Sequence, residues 1–139
     1  MAHDRQQDIQ AWLDYAATDL SVAHTLFDVH RPQPFEIICY HCQQAAEKAI
    51  KSLFIFFDLP GGIPKKHDLS FLLNQMQHKT AISSELRKRA DSLNVYGVIS
   101  RYPNEISVDE GRTRSALQYA DFILHWAQEL TDTGAGLVC

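Results

Sequence analysis

The most apolar segment of the chain, residues 35–59, constrains the fold more than any other. Its apolar side chains recur at three- and four-residue steps and cover more than half the circumference of a helix. One face consists of Ile38, Cys42, Ala45, Ala49, Leu53 and Phe56, and Ile37, Ala46, Ile50 and Phe57 widen it. A helix that is apolar over so wide an arc lies at the centre of a bundle or at an oligomer interface.

Four further helices are predicted, and no strand. The first covers residues 8–30 and stops at Arg31-Pro32, because proline disfavours helix in its predecessor. A short helix follows Asp68, which can cap it. A fourth helix opens at Ser83 or Ser84 and stops before Pro103, and a fifth begins near residues 108–110 and continues through Leu130.

Short connections between these segments favour antiparallel neighbours. The predicted fold class is therefore all-α, an up-and-down four-helix bundle with one additional short helix. We expect a single domain over residues 1–132 and a disordered tail over residues 133–139.

Composition excludes several classes of protein. Of 139 residues, 45% are hydrophobic and 22% charged, which is typical of a globular domain. The longest apolar run, residues 53–57, is far shorter than the roughly 20 residues of a membrane span. The polar N-terminus lacks the apolar stretch of a signal peptide, so we predict a cytoplasmic protein. The net charge of −4 argues against indiscriminate nucleic-acid binding but permits a local basic patch.

The three cysteines fit a reducing compartment better than a disulfide framework. Cys39 and Cys42 are one helical turn apart with His41 between them, but no second Cys/His pair has matching spacing. We therefore predict that both are small buried apolar side chains, and we expect neither a metal nor a cofactor.

Four polar residues of the central helix, Gln44, Glu47, Lys48 and Lys51, are three or four residues apart and share one narrow stripe. On an outward strip, Glu47 and Lys51 would form an ordinary exposed ion pair worth a few tenths of a kcal/mol. In a groove between helices, the same groups would be partly shielded from solvent and would contact Arg101. Both interpretations stay open at the level of sequence.

Two more residues could take part in a site. Arg101 ends the fourth helix, and Tyr102-Pro103 fixes the turn after it. Such an arginine can bond the last carbonyls of its helix, or it can present two parallel donors to phosphate oxygens. His67 follows two lysines and precedes a helix start, a place that tolerates anions. We expect the other histidines to be partnered or exposed structural residues.

Together these motifs resemble the HEPN domain family of bacteria and archaea. The matching pieces are Asp19-Leu20 with Ala23, the run QAAEKAIK at residues 44–51, His67-Asp68-Leu69 and Arg101-Tyr102-Pro103. The resemblance implies an all-α bundle, often a homodimer, frequently paired with a minimal nucleotidyltransferase. Many members act as metal-independent RNases or as toxins of toxin–antitoxin pairs, and others are thought to bind nucleotides.

The RNase members of that family carry an arginine followed four to six residues later by a histidine. The histidine would move a proton from the ribose 2′-hydroxyl while the arginine holds the phosphate. Arg101 is instead followed by YPNEISV, without a histidine. A nuclease would therefore need Arg101 with His67 or Glu105 as its catalytic residues.

Three functional hypotheses follow. The first is a homodimeric subunit that binds nucleotide or RNA phosphate and is the partner of a minimal nucleotidyltransferase in a toxin–antitoxin-like pair. Its ligand-binding residues would be Gln44, Glu47, Lys48, Lys51, His67, Arg101 and Tyr102. The second is a metal-independent endoribonuclease toxin. The third is a non-catalytic helical interaction module whose polar stripe only fixes helix register.

Bulky apolar side chains are a further reason to expect a homodimer. A bundle of this size has difficulty covering all of Trp12, Phe54, Phe56, Phe57 and Trp126 within one subunit.

Overall fold

The structure, a computed structural model, describes residues 4–98 and 107–136. Within these ranges all regular secondary structure is helical, which confirms the predicted fold class. The elements are α1 (Arg5–Val29), α2 (Phe35–Phe56), α3 (Leu69–Asn74), α4 (Ser84–Asn94), a 3-10 turn (Val95–Val98) and α5 (Glu110–Gly136). Among the described residues, none of the helices combines the length and apolarity that a bilayer crossing requires.

Helix α2 is the centre of the bundle, as its apolar arc predicts. It packs against α1, α3, α4, α5 and the 3-10 turn. Thirteen of its 22 residues are buried, including the fully covered Ile38, Ala45 and Leu53. Four of the buried residues, Gln43, Glu47, Lys51 and Ser52, are polar. Because α2 is surrounded, these buried polar groups face other parts of the bundle rather than bulk water.

Side-chain caps set where several helices begin. Asp4 accepts a hydrogen bond from the Gln6 amide, so α1 starts three residues before the expected position. The Asp68 carboxylate accepts from the Ser70 and Phe71 amides and caps α3 as predicted. Ser83 caps α4 through the Leu86 amide.

The fourth helix is shorter than the sequence pattern predicts. It ends at Asn94, and the chain tightens into the 3-10 turn with the buried Tyr96 and then Gly97. β-Branched residues and glycine have low helix propensity, which explains why the α-helical spacing is not continued.

Helix α5 is longer than predicted. It extends to Gly136, four residues into the segment expected to be a tail, and residues 137–139 lie outside the described ranges.

The large aromatic side chains named above are buried to different degrees. Phe54 is buried, and Phe56, Phe57 and Trp126 pack partly buried against the core. Trp12 is also only partly buried, so the expectation that some of these rings are covered by a second subunit stays a prediction. The most exposed large apolar side chains lie instead on α1 and include Tyr15 and Val29.

Candidate functional site around Glu47 and His67

A buried carboxylate, that of Glu47, is the centre of the candidate site. Its Oε2 atom accepts hydrogen bonds from Lys51 Nζ and His67 Nδ1, both at 3.0 Å. Its Oε1 atom accepts from Gln43 Nε2 at 3.1 Å and also lies 3.1 Å from His67 Nδ1. A buried carboxylate needs several hydrogen-bond donors to replace the bonds to water that it loses on burial.

Lys51 is buried together with Glu47. The side chains are only 8% and 5% exposed, so their ion pair lies in a groove between helices and not on an outward strip. The interpretation of these two residues as an ordinary exposed pair is therefore wrong. Helix geometry explains the pairing, since Glu47 and Lys51 are one turn apart on the side of α2 that faces the segment before α3.

His67 is the accessible member of the site. Its side chain is 69% exposed, yet its Nδ1 atom faces the buried Glu47 carboxylate. A carboxylate accepts, so Nδ1 carries the proton and Nε2 is left for other contacts. Within the described ranges, no protein atom forms a hydrogen bond with His67 Nε2. The Asp68 cap of α3 fixes the backbone directly after the ring.

Gln43 is a member of the site that was not predicted from the sequence. Its side chain is fully buried, and Nε2 donates both to Glu47 Oε1 and, at 3.2 Å, to the carbonyl oxygen of His67. The predicted Gln44 is only indirectly connected, because its Nε2 donates to Gln43 Oε1 at 2.8 Å. The i, i+4 spacing of Gln43 and Glu47 was the signal available in the sequence.

Lys48 lies in a different cluster. Its Nζ atom is 2.5 Å from Asp19 Oδ2, and Asp19 Oδ1 lies 3.1 Å from His41 Nδ1. These contacts join α2 to α1, away from His67. Consecutive helix positions differ by about 100°, so the long side chains of residues 47 and 48 diverge even though both belong to the predicted stripe.

The expected cleft of free positive charges is not formed by the lysines of α2. Lys48 and Lys51 are each paired with a carboxylate, in two separate clusters. The positive side chains next to His67 in the chain are the exposed Lys65 and Lys66. The described part of the site therefore contains an imidazole that is oriented by a hydrogen bond and is preceded in the chain by two exposed lysines. Such an arrangement can transfer a proton or contact an anion.

Three predicted site residues, Arg101, Tyr102 and Glu105, lie outside the described residues. Of the residues before this gap, Gly97 lies close to the Gln43 side chain, since a Cβ atom at that position would be 3.3 Å from Gln43 Cδ.

Three other histidines have carboxylate partners and two cysteines are buried, as predicted, whereas His3 and Cys139 lie outside the described residues. His24 contacts Asp121, His41 contacts Asp19, and His125 contacts Glu129. Cys39 and Cys42 are fully buried, and burial raises the pKa of both thiols. No cluster of three or more metal-binding side chains occurs among residues 4–98 and 107–136.

Comparisons with known proteins agree with this architecture. The chain is similar to TT1696 from Thermus thermophilus, whose crystal structure has a TM-score of 0.72 and 25% identity over 87% of this chain and 96% of that chain. It is also similar to ST0689, described as an archaeal HEPN homologue, with a TM-score of 0.69 over 88% of this chain and 97% of that chain. At 24% identity, the second likeness shows the fold alone. No curated protein matches the chain. The model of the HEPN domain matches residues 9–130, and the chain therefore belongs to the HEPN domain family.

Proposed function

We propose that the chain binds the phosphate of a nucleotide or of RNA at the surface around His67. The observation that supports this proposal is the exposed His67 ring held through Nδ1 by the buried Glu47 carboxylate. With Nδ1 held by Glu47, the ring presents Nε2 to the solvent, where the Nε2–H of a protonated ring can donate to a phosphate oxygen. Lys65 and Lys66 add positive charge near the ring, and Arg101 would supply the bidentate guanidinium.

The predicted binding residues divide into three roles in this proposal. His67, Arg101 and Tyr102 would contact the ligand. Glu47 would position His67, Lys51 would neutralise the buried Glu47 carboxylate, and Gln44 would act through its neighbour Gln43. Lys48 has no role in the site because it is paired with Asp19 on the α1 side.

Titrations of labelled ATP and a short RNA would test the proposal. We expect His67→Ala and Arg101→Ala each to weaken binding about tenfold, the value of one charge-assisted hydrogen bond. Lys48→Met is the matched control, since it removes a positive charge from the same helix away from His67. Binding that is equal in all four proteins, or absent from the wild type, would contradict the proposal.

A second candidate function is metal-independent RNA cleavage. The hydrogen bond from Nδ1 to Glu47 favours it, because it fixes the tautomer in which Nε2 can accept a proton from a ribose 2′-hydroxyl. Arg101 would hold the scissile phosphate, and Glu105 is the alternative base. Cleavage assays in EDTA with His67→Ala, Arg101→Ala and Glu105→Gln would identify the base, and RNA that stays intact with wild-type protein would exclude the nuclease.

Membership of the family also supports proposals about partners. We propose a homodimer that associates with a minimal nucleotidyltransferase in a toxin–antitoxin-like pair in the cytoplasm. Light scattering of the purified chain tests the dimer. An adjacent nucleotidyltransferase gene and co-purification of its product test the pairing. A monomer in light scattering would contradict the dimer, and a nucleotidyltransferase that does not co-purify with the chain would contradict the pairing.

A further inference from the structure

We infer that Gln43 is the positioning residue of this site. Its amide holds the Glu47 carboxylate and the His67 backbone in one arrangement. The consequence for a ligand rests on the function proposed at His67, whereas the consequence for the His67 ring can be measured without any ligand.

The first support is the pattern of donors. Gln43 Nε2 has two hydrogens and two acceptors, Glu47 Oε1 at 3.1 Å and the His67 carbonyl oxygen at 3.2 Å. One acceptor lies on α2, and the other lies in the segment before α3. A single amide group therefore forms hydrogen bonds both with the Glu47 carboxylate and with His67, the residue that this carboxylate orients.

The second support is that the amide can take only one orientation. Gln43 Oε1 accepts from Gln44 Nε2 at 2.8 Å. Turning the amide over would place its oxygen against the Glu47 carboxylate and the His67 carbonyl and would lose all three hydrogen bonds. Because Gln43 is fully buried, water cannot replace these bonds.

The third support is the small number of other restraints on the His67 ring. The side chain is 69% exposed, so packing does little to hold it. Its orientation depends on the Nδ1 bond to Glu47, and Lys51 competes for the same carboxylate oxygen. Without the Gln43 donors, the carboxylate can rotate towards Lys51 and release the ring.

Gly97 leaves the space that the amide needs. A Cβ atom at position 97 would lie 3.3 Å from Gln43 Cδ and 3.4 Å from Nε2, closer than ordinary van der Waals contact. The Gln43 amide thus lies between Gly97 and the Glu47 carboxylate that holds His67.

Nitrogen NMR of the His67 ring in the whole protein tests the inference. Gln43→Met keeps the side-chain volume and removes both donors. We expect one tautomer, with the proton on Nδ1, in the wild type and a mixture of tautomers in Gln43→Met. Gln44→Met is the matched control, because it removes only the outer hydrogen bond and should keep the wild-type tautomer.

A second variant keeps the test decisive if Gln43→Met does not fold. Gly97→Ala displaces the Gln43 amide without removing it, and we expect it to shift the His67 ring signals. A folded Gln43→Met or Gly97→Ala protein with an unchanged tautomer would overturn the inference, even if its melting temperature fell, since that is the behaviour of a residue needed only for stability.

Binding of AMP, with inorganic phosphate as a simpler probe, connects the inference to the proposed function. We expect Gln43→Met to weaken AMP binding about tenfold relative to the wild type. If wild-type protein bound neither probe, the proposed function would fail, whereas the tautomer measurement would still decide the role of Gln43.

Discussion

Glu47 Oε2 lies 3.0 Å from His67 Nδ1, which connects a carboxylate on the central helix to an exposed ring in the loop before α3. Lys51 Nζ lies at the same distance from the same oxygen. The carboxylate therefore has two tasks, since it neutralises a buried lysine and it orients an accessible imidazole. Variants that separate these two tasks are the most informative.

Glu47→Gln tests the buried ion pair. It leaves the Lys51 ammonium buried without a counter-charge, and we expect the free energy of unfolding to fall by about 3 kcal/mol. Urea denaturation measures this change. Glu110→Gln is the matched control, because the i, i+4 pair of Glu110 and Arg114 is about half exposed and its loss should cost under about 0.5 kcal/mol.

Lys51→Met in the Glu47→Gln background removes the unpaired charge as well. We expect the double variant to recover a large part of the lost stability, because an apolar side chain of similar length suits the buried position. Destabilisations that simply add in the double variant would show that the two residues are not coupled.

Lys48→Met tests the separation of the two clusters. The Lys48 side chain is 27% exposed and pairs with Asp19 across α1 and α2, so we expect a loss of stability of about 1 kcal/mol, smaller than for Lys51→Met. The His67 ring signals should not move. Changed His67 signals in Lys48→Met would contradict the assignment of Lys48 to a separate cluster.

Asp68→Ala tests whether the α3 cap helps to fix His67. Loss of the two capping bonds to the Ser70 and Phe71 amides should cost about 1 kcal/mol and increase the mobility of the preceding ring. Ser83→Ala, which removes the cap of α4, should cost a similar amount and leave His67 unaffected. Equal effects of both variants on the His67 ring signals would exclude a specific role for the Asp68 cap.

The buried thiols predict how stability changes at alkaline pH. Burial raises the pKa of Cys39 and Cys42 above the ordinary value of 9.0, and burial also raises the pKa of Tyr96 above 10.0. The unfolded chain therefore loses these protons at lower pH than the folded one. The stabilisation is complete below about pH 9 and is lost as the pH rises further, by up to about 1.4 kcal/mol per pH unit for each group.

Urea denaturation between pH 7 and pH 10.5 measures this loss, with Cys42→Ala as the variant that removes one titrating group. In a Cys139→Ser background, we also expect a thiol reagent at pH 8 to react with the remaining cysteines only after unfolding. Rapid reaction of the folded protein would contradict the burial of both thiols.

The sequence by itself determined the helical bundle and the central position of α2, because an apolar arc wider than half a helix can be buried only by neighbours on several sides. It also indicated Glu47, Lys51 and His67 as candidate site residues. Helical spacing alone could not decide that Glu47 and Lys51 are buried, that Lys48 turns towards Asp19, or that Gln43 joins the site. Those outcomes depend on which elements pack beside α2. Residues of one stripe still differ by tens of degrees in their direction around the helix axis, and a long charged side chain pairs with the nearest group of opposite charge. Only the tertiary structure brought the loop before α3 over the carboxylate, because contacts between residues 20 apart in the chain leave no periodic signal in the sequence.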